Sequence, residues 1–252
     1  MIGCCALHAG DSLRISPCDA VSIGIFGDMI CLSKDEGILK RYENGALTAL
    51  YSGDTSPDDP ILQEPGKPVW AGADNIYLLD AGSNTVIGWD RFLNIHSITK
   101  LHDDILSPQA FTVTSEHDWL IYDDFFGQIL QVHPGDSYYT NWGDQEISGD
   151  IELYSLEGYV IIFFKDMNTL RICDEDGGVI TDYILPESIA LIDLFPIGIN
   201  EFALSDNRGT YLWKPGDNSL RFLFNMQNTI HVSKTDAGYR LISEEGIVIT
   251  TQ

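Results

Sequence analysis

The sequence predicts an all-β protein, a six-bladed β-propeller built from four-stranded antiparallel blades. Three observations predict this fold class. A short pattern recurs six times at nearly constant spacing, turn-forming residues divide each repeat into four strands, and a spare N-terminal strand completes the last repeat. The chain has 252 residues, 44% of them hydrophobic, which is enough for one large all-β domain. We assign residues 11–252 to that domain.

In each copy of the recurring pattern an apolar run ends at an acidic residue, a few small or polar residues follow, and a second apolar run begins. The acidic residues that mark the six copies are Asp35, Asp80, Asp124, Asp166, Asp206 and Glu244. Subtracting their numbers gives separations of 38 to 45 residues. A four-stranded propeller blade takes about 40–50 residues, so the period favours six blades.

The second repeat shows the four strands of a blade most clearly. We expect its strands at residues 68–71, 75–80, 85–90 and 95–101. The segments between them are rich in Gly, Asn, Asp and Ser, which favour turns. A long apolar period of 3.6 residues occurs nowhere in the chain, so helices should be nearly absent.

The last repeat contains only three strands before the sequence ends, at residues 229–234, 239–244 and 247–251. A strand is left over at the other end of the chain, at residues 12–16. We expect this N-terminal strand to join the last blade and to complete the propeller, because an unpaired sheet edge and an open ring would leave apolar surface exposed.

One segment of the second repeat carries a family resemblance. Residues 75–91, NIYLLDAGSNTVIGWDR, resemble an NHL repeat, and Asp80 and Asn84 match the Asp and Asn of that motif. The first, third, fourth and fifth repeats are degenerate copies. The resemblance implies a propeller that binds proteins, sugars or RNA, and related six-bladed propellers include lactonases and lyases. The fold alone does not choose among these functions.

The composition limits the classes of partner. The formal net charge is −24, from 38 acidic and 14 basic residues, so the surface repels phosphate backbones and we expect no nucleic-acid partner. The same charge attracts basic proteins and cations, and it also keeps a protein soluble without any partner. No run of 18 apolar residues occurs, so we expect no membrane span.

The N-terminal segment and the cysteines bear on the compartment. Residues 1–10, MIGCCALHAG, resemble the end of a secretory signal peptide but lack a basic n-region. We expect this segment to be either a remnant of such a signal or a disordered tail. We expect the protein to be exported to the periplasm or the cell exterior, with the cytoplasm as the alternative location. The odd number and wide spacing of the five cysteines do not make a disulfide framework.

Two adjacent aromatic residues mark the predicted binding surface. Phe125 and Phe126 follow the second strand of the third repeat. Two neighbouring aromatic side chains in a tight turn do not both point inward, so at least one should be exposed and available to a partner. The alternative is that Phe125 packs between blades while Phe126 covers the turn.

Charged residues are expected beside this aromatic pair. The link between the second and third blades contains His102, Asp103 and Asp104, and such links lie on the same face as the turns between second and third strands. An apolar spot surrounded by carboxylates suits a protein partner or ligand with its own apolar spot ringed by Lys or Arg.

The acidic residues allow a metal-dependent alternative. Asp150, Glu152 and Asp193 lie on or near predicted innermost strands and would supply some of the six to eight oxygens that calcium prefers.

The acidic residues that mark the repeats have two interpretations, a cation-binding ring or carboxylates that accept N–H bonds within their own turns. The second is favoured, because a functional site rarely needs every blade.

The sequence therefore favours a non-enzymatic binding or scaffold propeller that needs no cofactor. The alternative is a calcium-dependent, lactonase-like hydrolase, and a third possibility is a structural module that acts only within a larger assembly. The sequence contains no Gly-x-Ser-x-Gly elbow, no Gly-rich phosphate loop before a helix and no Cys-x-x-Cys pair.

Overall fold

A computed structural model describes residues 12–53, 59–136, 138–143, 146–217, 219–236 and 238–251. Residues 1–10, with the predicted remnant of a signal peptide, lie outside these described residues. The described part of the chain contains 24 β-strands, one short 3-10 turn at Pro215–Asp217 and no α-helix. Within the same ranges, no helix is long and apolar enough to cross a membrane.

The strands form six four-stranded antiparallel sheets. Five sheets are built from four consecutive strands each, and the sixth combines the last three strands with the first. This is the strand content and connectivity of a six-bladed β-propeller, so the predicted fold class is confirmed. The chain forms two compact units, one of residues 1–57 and 186–252 and the other of residues 58–185.

The unit of residues 58–185 contains the second, third and fourth sheets. The second sheet consists of β6 (Val69–Ala71), β7 (Asn75–Asp80), β8 (Thr85–Asp90) and β9 (Ile95–Lys100). The third consists of β10 (Pro108–Val113), β11 (Trp119–Asp123), β12 (Gln128–Val132) and β13 (Thr140–Asn141). The fourth consists of β14 (Ile151–Leu156), β15 (Tyr159–Phe164), β16 (Thr169–Asp174) and β17 (Val179–Ile184). The strands predicted for the second repeat agree with the structure to within one residue at each end.

The apolar interior of this unit lies between neighbouring sheets. Trp119 and Ile121 of β11 belong to a cluster shared with the second sheet, and Leu120 and Tyr122 belong to a cluster shared with the fourth. Because successive side chains of a strand point to opposite faces, β11 is buried along its whole length. The outermost strand β9 instead alternates between half-buried and exposed residues.

The unit of residues 1–57 and 186–252 contains the first, fifth and sixth sheets. The first sheet consists of β2 (Ala20–Ile23), β3 (Met29–Ser33), β4 (Ile38–Glu43) and β5 (Ala46–Tyr51). The fifth consists of β18 (Asp193–Gly198), β19 (Glu201–Asp206), β20 (Gly209–Lys214) and β21 (Ser219–Phe224). The sixth consists of β22 (Thr229–Thr235), β23 (Gly238–Ser243), β24 (Ile247–Thr251) and β1 (Ser12–Arg14).

The N-terminal strand joins the last sheet, as predicted. β1 pairs antiparallel with β24, with Leu13 opposite Val248, and the N–H of Ile15 continues the pairing by donating to the carbonyl of Gly246 at 2.8 Å. Ile15 is buried in a cluster that contains residues of the first and sixth sheets. The strand spans three residues rather than the predicted five, because its partner β24 begins at Ile247, opposite Arg14.

Candidate functional site

The turn between β11 and β12 is organised by one buried carboxylate, Asp123. Its oxygens accept hydrogen bonds from the backbone N–H groups of Leu106 (2.8 Å), Ser107 (3.2 Å) and Phe125 (3.0 Å). Two of these donors belong to the link that precedes β10, so the carboxylate holds link and turn together. The recurring pattern predicts Asp124 as the acidic residue of this repeat. That assignment is wrong by one residue, because Asp124 is exposed and Asp123 occupies the buried position.

Both phenylalanines of this turn face solvent. Phe125 is 66% exposed and Phe126 is 51% exposed. Their rings contact each other edge to face, with centroids 4.9 Å apart and planes at 84°. The expectation of at least one exposed ring is confirmed, and the alternative that Phe125 packs between blades is wrong. The side chains are forced outward because the preceding residues, Leu120 to Asp123, already fill both faces of β11.

A third exposed apolar side chain lies in the link that the same carboxylate holds to this turn. Leu106 is 53% exposed, and its N–H and that of Phe125 bond to the same Asp123 carboxylate. We call the three exposed residues Leu106, Phe125 and Phe126 the aromatic tip. Leu106 is not among the binding residues predicted from the sequence, although the sequence contains a signal for its exposure. Ile105 and Leu106 are adjacent apolar residues in a link, and only Ile105 is buried.

Charged residues lie in the same link as Leu106. Asp103 accepts a hydrogen bond from the Lys100 ammonium at 2.8 Å, which lowers the pKa of the Asp103 carboxyl. The Nδ1 atom of His102 lies 3.2 Å from a carboxylate oxygen of Asp104. All three predicted residues, His102, Asp103 and Asp104, have exposed side chains. The link is held in place because Ile105 is buried and its carbonyl accepts a hydrogen bond from the Asn84 amide at 3.1 Å.

Asp124 adds a carboxylate at the base of the aromatic tip. The Tyr122 hydroxyl donates to Asp124 at 3.1 Å. Burial, together with the nearby Asp124 carboxylate, raises the pKa of Tyr122 to about 12, so the hydroxyl stays protonated and remains a donor at neutral pH. Asp124 is thereby oriented beside Phe125 while staying open to solvent.

The equivalent acidic residues of two other sheets are also structural. Asp80 is fully buried and accepts from the N–H groups of Gln63 (3.1 Å) and Glu64 (2.7 Å) in the preceding link. Asp206 accepts from the N–H groups of Arg208 (2.8 Å) and Gly209 (3.1 Å) in its own turn. These bonds support the turn-stabilising interpretation for the second, third and fifth repeats, and they add the bracing of links as a second role. The predicted markers of the other three repeats, Asp35, Asp166 and Glu244, are exposed.

Two of the three residues of the calcium alternative, Asp150 and Glu152, lie beside lysines. Lys165 contacts Asp150 at 3.3 Å and Glu152 at 3.1 Å, and Lys67 contacts the other Glu152 oxygen at 2.9 Å. Burial alone would raise the pKa of Glu152, but the two ammonium groups outweigh it and hold the pKa at about 2. Asp193 belongs to the other compact unit. Among the described residues, no group of three or more His, Cys, Asp or Glu side chains is arranged to hold a metal ion.

Known structures of the same fold resemble the chain. Virginiamycin B lyase from Staphylococcus aureus matches with a TM-score of 0.63 and 10% identity, covering 96% of this chain and 85% of the lyase. The β-propeller domain of Cps50 (Swd1) from Myceliophteria thermophila matches with a TM-score of 0.64 and 12% identity, covering 94% and 97%. A chain of a nidogen/laminin complex matches with a TM-score of 0.59 and 11% identity, covering 82% of each.

These similarities establish the propeller fold and nothing finer, because the identities are low and the similar structures include both a lyase and a component of a protein complex. No family model matches the chain, and no curated protein sequence matches it at a significant level. The resemblance of residues 75–91 to an NHL repeat therefore stays a prediction.

Proposed function

We propose that this chain is a non-enzymatic binding propeller that contacts a protein partner through the aromatic tip. The observation that carries the proposal is the exposure of two phenylalanines in edge-to-face contact, together with that of Leu106 in the link held by the same carboxylate. Single apolar residues are common on protein surfaces, whereas adjoining exposed ones mark interaction sites. Full burial of a Phe side chain is worth roughly 1.5–3 kcal/mol, so a partner that covers the exposed parts of both rings gains on the order of 2–3 kcal/mol.

The charges around the aromatic tip indicate the chemistry of that partner. Asp103, Asp104 and Asp124 lie in the same link and turn as the tip, and Lys100 is paired with Asp103. The whole chain carries a formal charge of −24. A partner with an apolar residue bordered by Lys or Arg would complement this surface in shape and charge and would associate rapidly at low salt.

The lysine contacts of Asp150 and Glu152 argue against a calcium-dependent hydrolase. Glu152 is already bonded to the ammonium groups of Lys67 and Lys165, and Lys165 also contacts Asp150. A calcium ion at these oxygens would have to displace both lysines and then find most of its six to eight ligands elsewhere.

The test introduces a photo-crosslinking phenylalanine analogue at Phe126 and, in a second protein, at Phe92. Phe92 is a matched control because it is 62% exposed and lies in the turn between β8 and β9, at the opposite end of the strands of the same unit. We expect the analogue at position 126 to capture a distinct protein from an extract of the native organism, and the analogue at position 92 not to capture it.

The captured protein is then purified and its affinity measured. Phe125→Ser/Phe126→Ser should weaken binding by at least about tenfold, the size of effect typical of central aromatic contacts, and Phe92→Ser should leave it unchanged. Both variants should melt like the wild-type protein, because the replaced rings face solvent. Equal affinities for the double variant and the wild type would overturn the proposal.

A further inference from the structure

Two thiols lie side by side in the interior of the unit formed by residues 1–57 and 186–252. Cys18 belongs to the segment between β1 and β2, and Cys31 belongs to β3. Cys18 is 5% exposed and Cys31 is 1% exposed, and both are free thiols. Their spacing in the sequence does not indicate a pair, since their proximity depends on how the segment after β1 folds back.

The backbone brings these cysteines together. The N–H of Asp19 donates to the carbonyl of Leu32 at 2.8 Å, and β2 pairs antiparallel with β3 with Val21 opposite Cys31, so the segment that contains Cys18 lies alongside β3. Both side chains enter the same apolar cluster. The two thiols hydrogen-bond to each other, and this bond, with burial, raises the pKa of the Cys31 thiol above its ordinary value.

We propose that Cys18 and Cys31 are a disulfide site that forms when the chain folds under oxidising conditions. The oxidant is a disulfide compound such as oxidised glutathione or the disulfide of a thiol oxidoreductase. One cysteine thiolate attacks the oxidant and releases one thiol, and the second cysteine then attacks the mixed disulfide and releases the other. One S–S bond forms in the protein, one is lost from the oxidant, and the two protons pass to the released thiols.

The position of the cross-link gives it a structural effect. Besides its contact with Cys31, Cys18 is tied to the sixth sheet, because its N–H donates to the carbonyl of Glu244 at 3.0 Å. A bond from Cys18 to Cys31 would attach the segment that follows β1 to the first sheet. It would close a loop of about a dozen residues, and a loop of this length restricts the unfolded chain enough to raise stability.

The same burial determines when the bond forms. Thiolates are the reactive species, and a buried thiol with a raised pKa exchanges slowly. The bond therefore forms during folding, or after local opening of the segment between β1 and β2, and reduction of the folded protein is slow for the same reason.

The test uses the full chain carrying Cys4→Ser and Cys5→Ser, refolded either in a glutathione redox buffer or in reductant. Free thiols are alkylated and the protein is digested with trypsin, which releases residues 15–34 with both cysteines on one peptide. After redox refolding, this peptide should carry no alkyl group until it is reduced, and two afterwards. Alkylation of both thiols without reduction, or glutathione on either thiol, would contradict the proposal.

Thermal unfolding provides a second measurement. The oxidised protein should melt about 5–10 °C above its reduced form. Adding Cys31→Ser should abolish this difference, and adding Cys173→Ser, a buried cysteine of the other unit, should preserve it. Oxidised and reduced proteins that melt at the same temperature would show that the site has no stabilising role and would overturn that part of the inference.

Discussion

At the scale of single residues, the buried aspartates at the ends of second strands explain how exposed side chains are positioned. Asp123 satisfies three backbone N–H groups from two separate segments, and Asp80 braces the link before its own sheet in the same way. A carboxylate suits this task because charge-assisted bonds to backbone N–H groups are stronger than neutral ones. The aromatic tip therefore rests on a rigid support.

Replacing Asp123 should destabilise the protein much more than replacing its neighbour Asp124. Asp123→Ala leaves three N–H groups without their acceptor, and we expect the free energy of unfolding to fall by about 3 kcal/mol. Asp124→Ala removes an exposed carboxylate that accepts one bond, from Tyr122, and should cost less than about 1 kcal/mol. Urea unfolding followed by tryptophan fluorescence measures both. Equal losses would mean that Asp123 does not organise the turn.

A second prediction at this scale concerns His133. Its Nδ1 atom lies 2.6 Å from Asp118, and this hydrogen bond raises the pKa of His133 above its ordinary value of 6.5. Because the folded-state pKa is the higher one, any stabilisation is complete below the unfolded pKa and is lost as pH rises through the folded pKa. An NMR titration of His133 should show the raised value, and Asp118→Asn should lower it. An identical pKa in both proteins would contradict the pairing.

At the scale of secondary-structure elements, most of the fold could be predicted because turn-forming residues separate the strands at regular intervals. The acidic marker of the third repeat could not be placed, since Asp123 and Asp124 are adjacent and only the strand register decides between them. Asp123 pairs with Gln128 at the end of the β11–β12 ladder, which directs its side chain into the interior. The residues around Asp123 do not by themselves determine this register, so the sequence could not distinguish the two aspartates.

The N-terminal strand offers the clearest test of an element. Deleting residues 1–17 removes β1 and the buried side chain of Ile15, and it exposes the edge of β24. We expect a loss of roughly 3–5 kcal/mol from lost burial and unpaired backbone groups, seen as a lower melting temperature. Deleting only residues 1–10 removes no strand of the described chain and should leave the melting temperature close to that of the full chain. Equal melting of the two truncated proteins would contradict a structural role for β1.

At the scale of the whole molecule, the sequence predicted the propeller architecture more completely than the residues of the candidate site. The exposure of at least one of Phe125 and Phe126 followed from local geometry, because two adjacent rings in a tight turn do not both point inward. The contribution of Leu106 and the contact between Cys18 and Cys31 depend on segments that are apart in the chain and meet only after folding. The pairing of Glu152 with Lys67, 85 residues away, is of the same kind.

The net charge leads to a prediction for the whole molecule. With 38 acidic and 14 basic residues, repulsion between carboxylates destabilises the folded state, and salt should raise the melting temperature by screening it. If the acidic residues are structural, calcium should act as a screening ion only, with no binding tighter than millimolar in calorimetric titration. Calcium chloride and magnesium chloride at equal concentration should then raise the melting temperature equally. A larger shift with calcium, removed by Asp150→Ala, would instead reveal a specific site at that carboxylate.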